Sequence, residues 1–240
     1  FLLDNYGWES IFYSQLLFGI VVLCWFWKRQ PETLPPAYKK KFSMAIFVSG
    51  SKEFIKYRSA IIFTLISGLA TGSFMVFLST SQHIFEVQYG LVDEFPYIFG
   101  ALAFSVGVAT FTNGTLVVRF GMKKLVTIFS IVFSLTSLLY ISIFYGETNP
   151  SIGILILFLA LQFFSVGFLF GNVRSLAMQP LGHIAGIGAA INGFVSTIMA
   201  VPIATFIGGF VETTALPLFI GFAACGFGSL LLLFFVKKSV

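Results

Sequence analysis

The sequence predicts an all-α fold, a polytopic helical membrane protein with seven transmembrane helices. Three observations lead there. Seven apolar runs, at 11–27, 60–80, 95–118, 125–145, 151–171, 184–211 and 215–236, are 17 to 28 residues long, against the roughly 20 needed to cross a hydrocarbon core of about 30 Å. Apolar residues make up 58% of the 240-residue chain and charged ones only 10%, where soluble domains carry about 25%. The fourteen Lys and Arg residues are sorted by side. Segments 28–59, 119–124, 172–183 and 237–240 hold eight, three, one and two of them. The alternate segments hold none, and carry Asp4, Glu9, Glu86, Asp93, Glu94, Glu147 and Glu212 instead. Basic residues stay with cytoplasmic loops, so the chain reads as starting outside and ending inside. The net charge of +5 then reports orientation, and no nucleic-acid-binding motif accompanies it.

The first run ends in Trp25-Phe26-Trp27 before Lys28-Arg29, an aromatic interface anchor backed by a basic stop. The linker 28–59 opens with Pro31, Pro35 and Pro36, which lack backbone donors. It then mixes Lys39, Lys40, Lys41, Lys52, Lys56 and Arg58 with Phe42, Ile46, Phe47, Phe54 and Ile55, a composition suited to a segment lying on the membrane surface. Six closely joined runs follow, so 1–27, 28–59 and 60–240 read as three parts. The chain opens at Phe1 with no signal peptide and reads as a piece of a longer protein. Within the runs, Gly68/Gly72, Gly167/Gly171 and Gly182/Gly186 are spaced for close helix approach, a stripe continued by Ala185, Ala189 and Gly193. Pro202 is expected to kink or hinge the longest run.

Catalytic patterns are missing from the sequence: it holds no HExxH, no GxSxG and no Cys/His cluster, and His83 and His183 fall on opposite sides. Cys24 and Cys225 lie inside runs and read as small packing residues. An enzyme, a metal and a cofactor are all unexpected. No Asp, Glu, Lys or Arg lies centrally in a run, although proton-coupled pumps carry such acids. The polar residues inside the runs are neutral: Thr71, Ser73, Asn113, Gln162, Asn172, Asn192 and Thr197. Asn113, Gln162 and Asn192 either line a ligand cavity or bond helix to helix. Thr71 and Ser73 can also bond back to their own helix.

Two connections carry more information. In the first, Gly114 to Leu125, Gly121 suits a turn with positive φ. Arg119, Lys123 and Lys124 there either pair with carboxylates or helix C-termini or simply set orientation. In the second, Asn172, Arg174 and His183 stand near the start and end of a short segment. Arg174 is a candidate to reach a gate, a substrate or a lipid phosphate. His183 is either a polar latch or an ordinary interface histidine.

These stretches resemble the major facilitator superfamily of transporters. Gly114-Thr115-Leu116-Val117-Val118-Arg119-Phe120-Gly121-Met122-Lys123-Lys124-Leu125 is similar to the family's G-x-L-a-D-r-x-G-r-r loop in its second copy, with Val118 at the acidic position. Gly7-Trp8, Ile11-Phe12, Pro31 to Pro36 and the Gly171 to Gly186 pattern resemble the Bcr/CflA type of multidrug efflux protein. The resemblance implies that the chain holds helices six to twelve of a twelve-helix, monomeric drug:proton antiporter of a bacterial inner membrane. Residues 28–59 would link the two halves, and the proton-carrying acids would lie in an N-terminal half absent from this chain. Transport would proceed by alternating access, with an amphipathic small molecule as substrate. The first helices of the two inverted repeats, 60–80 and 151–171, would face the cavity. Thr71, Phe74, Phe77, Asn113, Gln162, Phe163, Phe164 and Asn192 are its candidate residues, because neutral aromatic walls suit varied amphipathic ligands. Gly114, Arg119, Gly121, Lys123, Asn172, Arg174 and His183 are candidates for the cytoplasmic gate. The alternative from another class is a seven-helix receptor with an outside N-terminus. Against it stand the long basic loop after the first run, the short tail and the lack of an external cysteine pair.

Overall fold

The computed structural model describes residues 6–32, 43–146 and 148–236, in two compact units, Phe1–Ser43 and Met44–Val240. Expectations for Asp4, Thr33 to Phe42, Glu147, Lys237 and Lys238 fall outside the described residues. The first unit contains helix α1 (Glu9–Arg29). Lys28 and Arg29 occupy its last turn, where the helix dipole is negative. Trp8 meets Phe12 edge-on at 5.9 Å near its start.

The second unit holds α2 (Met44–Phe54), α3 (Arg58–Gln82), α4 (Phe95–Phe120), α5 (Met122–Phe144), α6 (Ile152–Met178), α7 (Ala185–Gly208) and α8 (Leu216–Phe234). With α1, the six helices α3 to α8 give seven of 19 to 27 residues, each long enough to cross a membrane. The described secondary structure is helical throughout, which satisfies backbone groups that hydrocarbon would leave unpaired. Helix α2, at 11 residues, is too short to span and falls where a surface segment was expected.

Two boundaries differ from the sequence reading. Helix α6 runs on to Met178, so Asn172 and Arg174 sit on a helix and not in a loop. The link to α7 is a six-residue 3-10 turn, Gln179–Ile184, which opens with Pro180 and breaks at Leu181 (φ −108°, ψ 17°). Helix α7 is continuous through Pro202. The apolar period continues past Gly171 through Val173, Leu176 and Ala177, all buried, and this holds the extra turns of α6 in place.

Contacts reveal an inverted repeat. Helices α3 and α7 run parallel: Thr64 meets Asn192, Ser67 meets Ser196, Gly68 faces Met199 and Gly72 faces Ile203. Helices α4 and α6 also run parallel, with Ser105 on Ala160, Ala109 by Gly167 and Asn113 on Asn172. The pairs α5/α6 and α8/α3 correspond, while α5/α8 and α3/α6 close the unit. Exchanging α3–α5 for α6–α8 maps this set of neighbours onto itself, as a pseudo-two-fold in the membrane plane requires.

Glycines set the closest approaches. A methyl on Gly68 would come 2.5 Å from Met199 Sδ, and one on Gly72 would come 2.8 Å from Ile203 Cδ1. A methyl on Gly167 would sit 2.6 Å from Ala109 Cβ and 2.8 Å from the Val106 carbonyl oxygen. The remaining pair members behave differently: Gly171, Gly182 and Gly186 have nothing within 4 Å of such a methyl. The stripe expected from Gly182 to Gly193 therefore does not pack within this unit; Ala185, Gly186, Ala189 and Gly193 are exposed. Gly188, on another face of the same helix, is the one that packs, against Leu181 and Met178. Gly167→Ala should lower the thermal unfolding midpoint by the equivalent of about 1–3 kcal/mol, since a backbone carbonyl cannot step aside. Gly171→Ala should leave the midpoint unchanged, and equal shifts for both would contradict this packing.

Candidate functional site

The alternation of helices gathers like charges. Lys56, Arg58, Arg119, Lys123, Lys124 and Arg174 belong to one end of the second unit, and Glu86, Asp93, Glu94 and Glu212 to the other. The acidic end is closed by neutral hydrogen bonds. A π-helical turn, His83–Gln88, extends α3 and brings His83 Nε2 within 2.7 Å of the Glu212 carbonyl. Asn149 ties three segments: its Nδ2 donates to Gln88 Oε1 at 2.9 Å, and its Oδ1 accepts from the Ala215 N–H at 2.8 Å. Tyr89 donates to the Pro150 carbonyl at 2.8 Å. Burial pushes the Tyr89 phenol up to about 12 from 10.0. The unfolded phenol ionises first, so this group's contribution to stability is level below pH 10 and falls from there toward pH 12. An ultraviolet phenolate titration should show a phenol ionising near pH 12 that Tyr89→Phe removes.

Between the two ends lies a cavity of about 180 Å³ at the meeting of α3, α4 and α6. Phe74 and Phe77 of α3 and Phe163 of α6 come together there as expected, with Phe163 edge-on to both at 5.7 and 4.6 Å. The third wall, which sequence reasoning missed, is Phe99, Leu102, Ala103 and Val106 of α4. They recur at i, i+3, i+4 and i+7, one face of a helix, but α4 is apolar on its other faces as well, so the spacing does not single them out in the sequence. No charged or amide side chain lines this space. Thr71, one turn from Phe74, has a buried Oγ1 without a hydrogen-bond partner.

The other cavity candidates are placed elsewhere. Gln162 Nε2 donates to Ser137 Oγ at 2.6 Å and to the Phe133 carbonyl at 3.2 Å, so it fastens α6 to α5. The neighbouring Phe163 points to α3, because adjacent residues on a helix lie about 100° apart. Phe164 joins Phe129 and Phe168, which stack at 3.7 Å, and not the cavity. Asn192 Nδ2 donates to Thr64 Oγ1 at 3.0 Å and fastens α7 to α3. Asn113 pairs with Asn172, whose Nδ2 donates to Asn113 Oδ1 at 2.7 Å and to the Phe168 carbonyl at 2.9 Å. For these three amides, the bond from helix to helix is the role the structure displays.

At the basic end, Gly121 has φ +78° and is the single residue between α4 and α5, as its type suggested. Gly114 is an ordinary helical glycine with open space beside it. Arg119 and Lys124 both lie over the Phe120 ring, at 5.3 and 5.2 Å from its centroid. Arg174 lies over Phe170 at 5.8 Å, and Phe170 meets Phe74 edge-on at 5.6 Å. An aromatic chain thus runs from Arg174 to the cavity wall. His183 Nε2 stands 2.6 Å from Glu53 Oε1, joining the link before α7 to α2. If Asn113 and Asn172 serve packing, a double-mutant cycle on Asn113→Ala and Asn172→Ala should give a coupling of about 0.6–1.7 kcal/mol in thermal unfolding; additive effects would contradict the pair.

Comparison with known proteins agrees with this architecture. The Major Facilitator Superfamily matches residues 1–204. An "uncharacterized MFS-type transporter YdgK" of Bacillus subtilis (strain 168) is 24% identical across 100% of this chain and 59% of its own length. The chain thus spans about three fifths of that relative. No solved structure matches the chain. The chain belongs to the Major Facilitator Superfamily, a family of multi-pass membrane transporters and not of enzymes.

Proposed function

We propose that this chain is the C-terminal part, helices six to twelve, of a proton-coupled exporter of amphipathic small molecules, of the Bcr/CflA kind, in a bacterial inner membrane. The observation that carries the reading is the uncharged aromatic cavity formed by Phe74, Phe77, Phe99 and Phe163. Its walls offer ring faces and edges, which accept flat or branched apolar groups with little regard for detail. A porter for one polar nutrient needs convergent hydrogen-bonding groups, and the amide nitrogens of Gln162, Asn172 and Asn192 within the spans are already bonded between helices.

A volume of about 180 Å³ is small for a drug-sized ligand, which usually occupies 300–1,000 Å³. The remaining wall would come from the five helices that precede this chain in the proposed twelve-helix protein. The same helices would carry the proton-binding carboxylates, since the spans here have none at their centres. Thr71 does not line this cavity, but its buried Oγ1 has no partner within this unit, and in this reading a substrate hydroxyl or carbonyl would supply one. In this reading, 1–27 is the last helix of the first half, 28–59 the cytoplasmic linker and 60–240 the second half. The N-terminus of the chain lies outside, its C-terminus lies in the cytoplasm, and the protein works as a monomer. The basic end, with Arg119, Lys123, Arg174 and His183, is the cytoplasmic gate.

The test is accumulation of a planar aromatic cation and of an uncharged amphipathic antibiotic in efflux-deficient bacteria expressing the full-length protein. Expression should lower accumulation of both, and an uncoupler should abolish the difference. Phe163→Ala and Phe74→Ala should each weaken efflux about two- to tenfold, the range of an aromatic contact. Accumulation equal to that of empty cells for a broad amphipathic panel would reject the reading.

A further inference from the structure

A second groove, of about 700 Å³, lies between the α4–α5 joint and the end of α6. Its lining is mixed: Lys123, Lys124 and Gln179 supply polar groups, and Phe120, Ile128 and Leu176 supply apolar surface. Ile128 lies one helical turn beyond Lys124, about 5.4 Å further along α5. Lys123, Lys124 and Phe120 lie together where α4 ends and α5 begins, with Lys124 over the Phe120 ring, while Ile128 and Leu176 lie about one turn further along their helices.

We propose that this groove binds an anionic phospholipid. The phosphate lies between Lys123 and Lys124 with the Gln179 amide as a further donor, and an acyl chain lies against Phe120, Ile128 and Leu176. The charges demand a counter-ion. Among the described residues of this unit, the only acid at the basic end is Glu53, and it is engaged by His183 at 2.6 Å. The two lysines also occupy the first turn of α5, the positive end of a 23-residue helix. No acidic residue stands in that turn, and its cap position, Gly121, has no side chain to offer. Two cations at that end are unfavourable until an anion joins them. A free phosphate would satisfy the lysines but leave the apolar surface unused, whereas a lipid uses both. Basic pockets at helix ends on the cytoplasmic side bind acidic headgroups on the same physical grounds.

The experiment is native mass spectrometry of the full-length protein after exposure to mixed micelles of phosphatidylglycerol and phosphatidylcholine. Phosphatidylglycerol should be retained in preference. Lys123→Gln with Lys124→Gln should weaken its retention about fivefold for each charge removed, and the Arg replacements should restore it. Lys52→Gln with Lys56→Gln, on α2 and in the turn after it, should leave it unchanged. Unaltered retention in the Lys123/Lys124 double variant would overturn the proposal, as would equal retention of both lipids. Displacement of the lipid by millimolar inorganic phosphate would show a simple anion site and would also overturn it. Thermal midpoints measured with and without phosphatidylglycerol give an independent reading, because only the wild-type protein and its Arg variant should gain stability.

Discussion

Hydrocarbon offers a backbone N–H or C=O no partner outside its own helix, and the arrangement of this protein follows from that constraint. Once each helix is satisfied internally, its outer surface is as apolar as the lipid around it, so burial of apolar area no longer draws helices together. What remains is close approach and neutral hydrogen bonding. Gly68 and Gly72 supply close approach for α3 and α7, and Gly167 does so for α6 and α4. Thr64–Asn192, Asn113–Asn172 and Gln162–Ser137 supply the bonds. The α3/α7 and α4/α6 pairs carry both a glycine approach and an amide bond, Gln162 adds the α5/α6 contact, and Gly226 and Gly221 bring α8 to α5 and α7 without an amide. An amide that failed to find its partner would leave a polar group in a dry interior, so these bonds also fix the register between helices.

Charge is excluded from the packed interior and confined to its two ends, and the ends are fastened differently. At the acidic end, Asn149 joins the α3 extension and two loops through uncharged bonds. At the basic end, cations rest on rings, Arg119 and Lys124 on Phe120 and Arg174 on Phe170. The second of these rings touches Phe74, which puts a surface cation in contact, through two aromatic side chains, with the cavity between the ends. In the proposed rocking of two halves this unit would move as one body, held by neutral bonds at its acidic end and glycine seams along its middle.

Much of this was legible in the residues. Span number, charge sorting and the turn at Gly121 follow from rules with few exceptions, because lipid tolerates so little variety. The aromatic meeting of Phe74, Phe77 and Phe163 was also readable, since α3 and α6 are the equivalent first helices of two repeats. What escaped was rotation about each helix axis. A membrane helix apolar all round gives no amphipathic stripe, so Gln162 and Phe163 could not be sorted to opposite neighbours from sequence. For the same reason the α4 wall was overlooked, and Gly171 and Gly182 were grouped with glycines that do pack. Asn149 was hidden because Asn-Pro reads first as a turn signal, and its clasp depends on loops distant in sequence. The extension of α6 through Arg174 was masked by taking a charged residue as the end of a span.

The parallel pairing of α3 with α7 and of α4 with α6 has a consequence in time. Neither three-helix repeat contains the tightest partner of its own first helix. Thr64 and its partner Asn192 are 128 residues apart in the chain. At a synthesis rate of about 5–20 residues per second, α3 is inserted on the order of ten seconds before α7 exists to cover its glycine face. During that interval, lipid tails or an insertion factor must occupy the Gly68–Gly72 surface. The nascent protein therefore passes through a state whose bare seam is the seam that later holds it together.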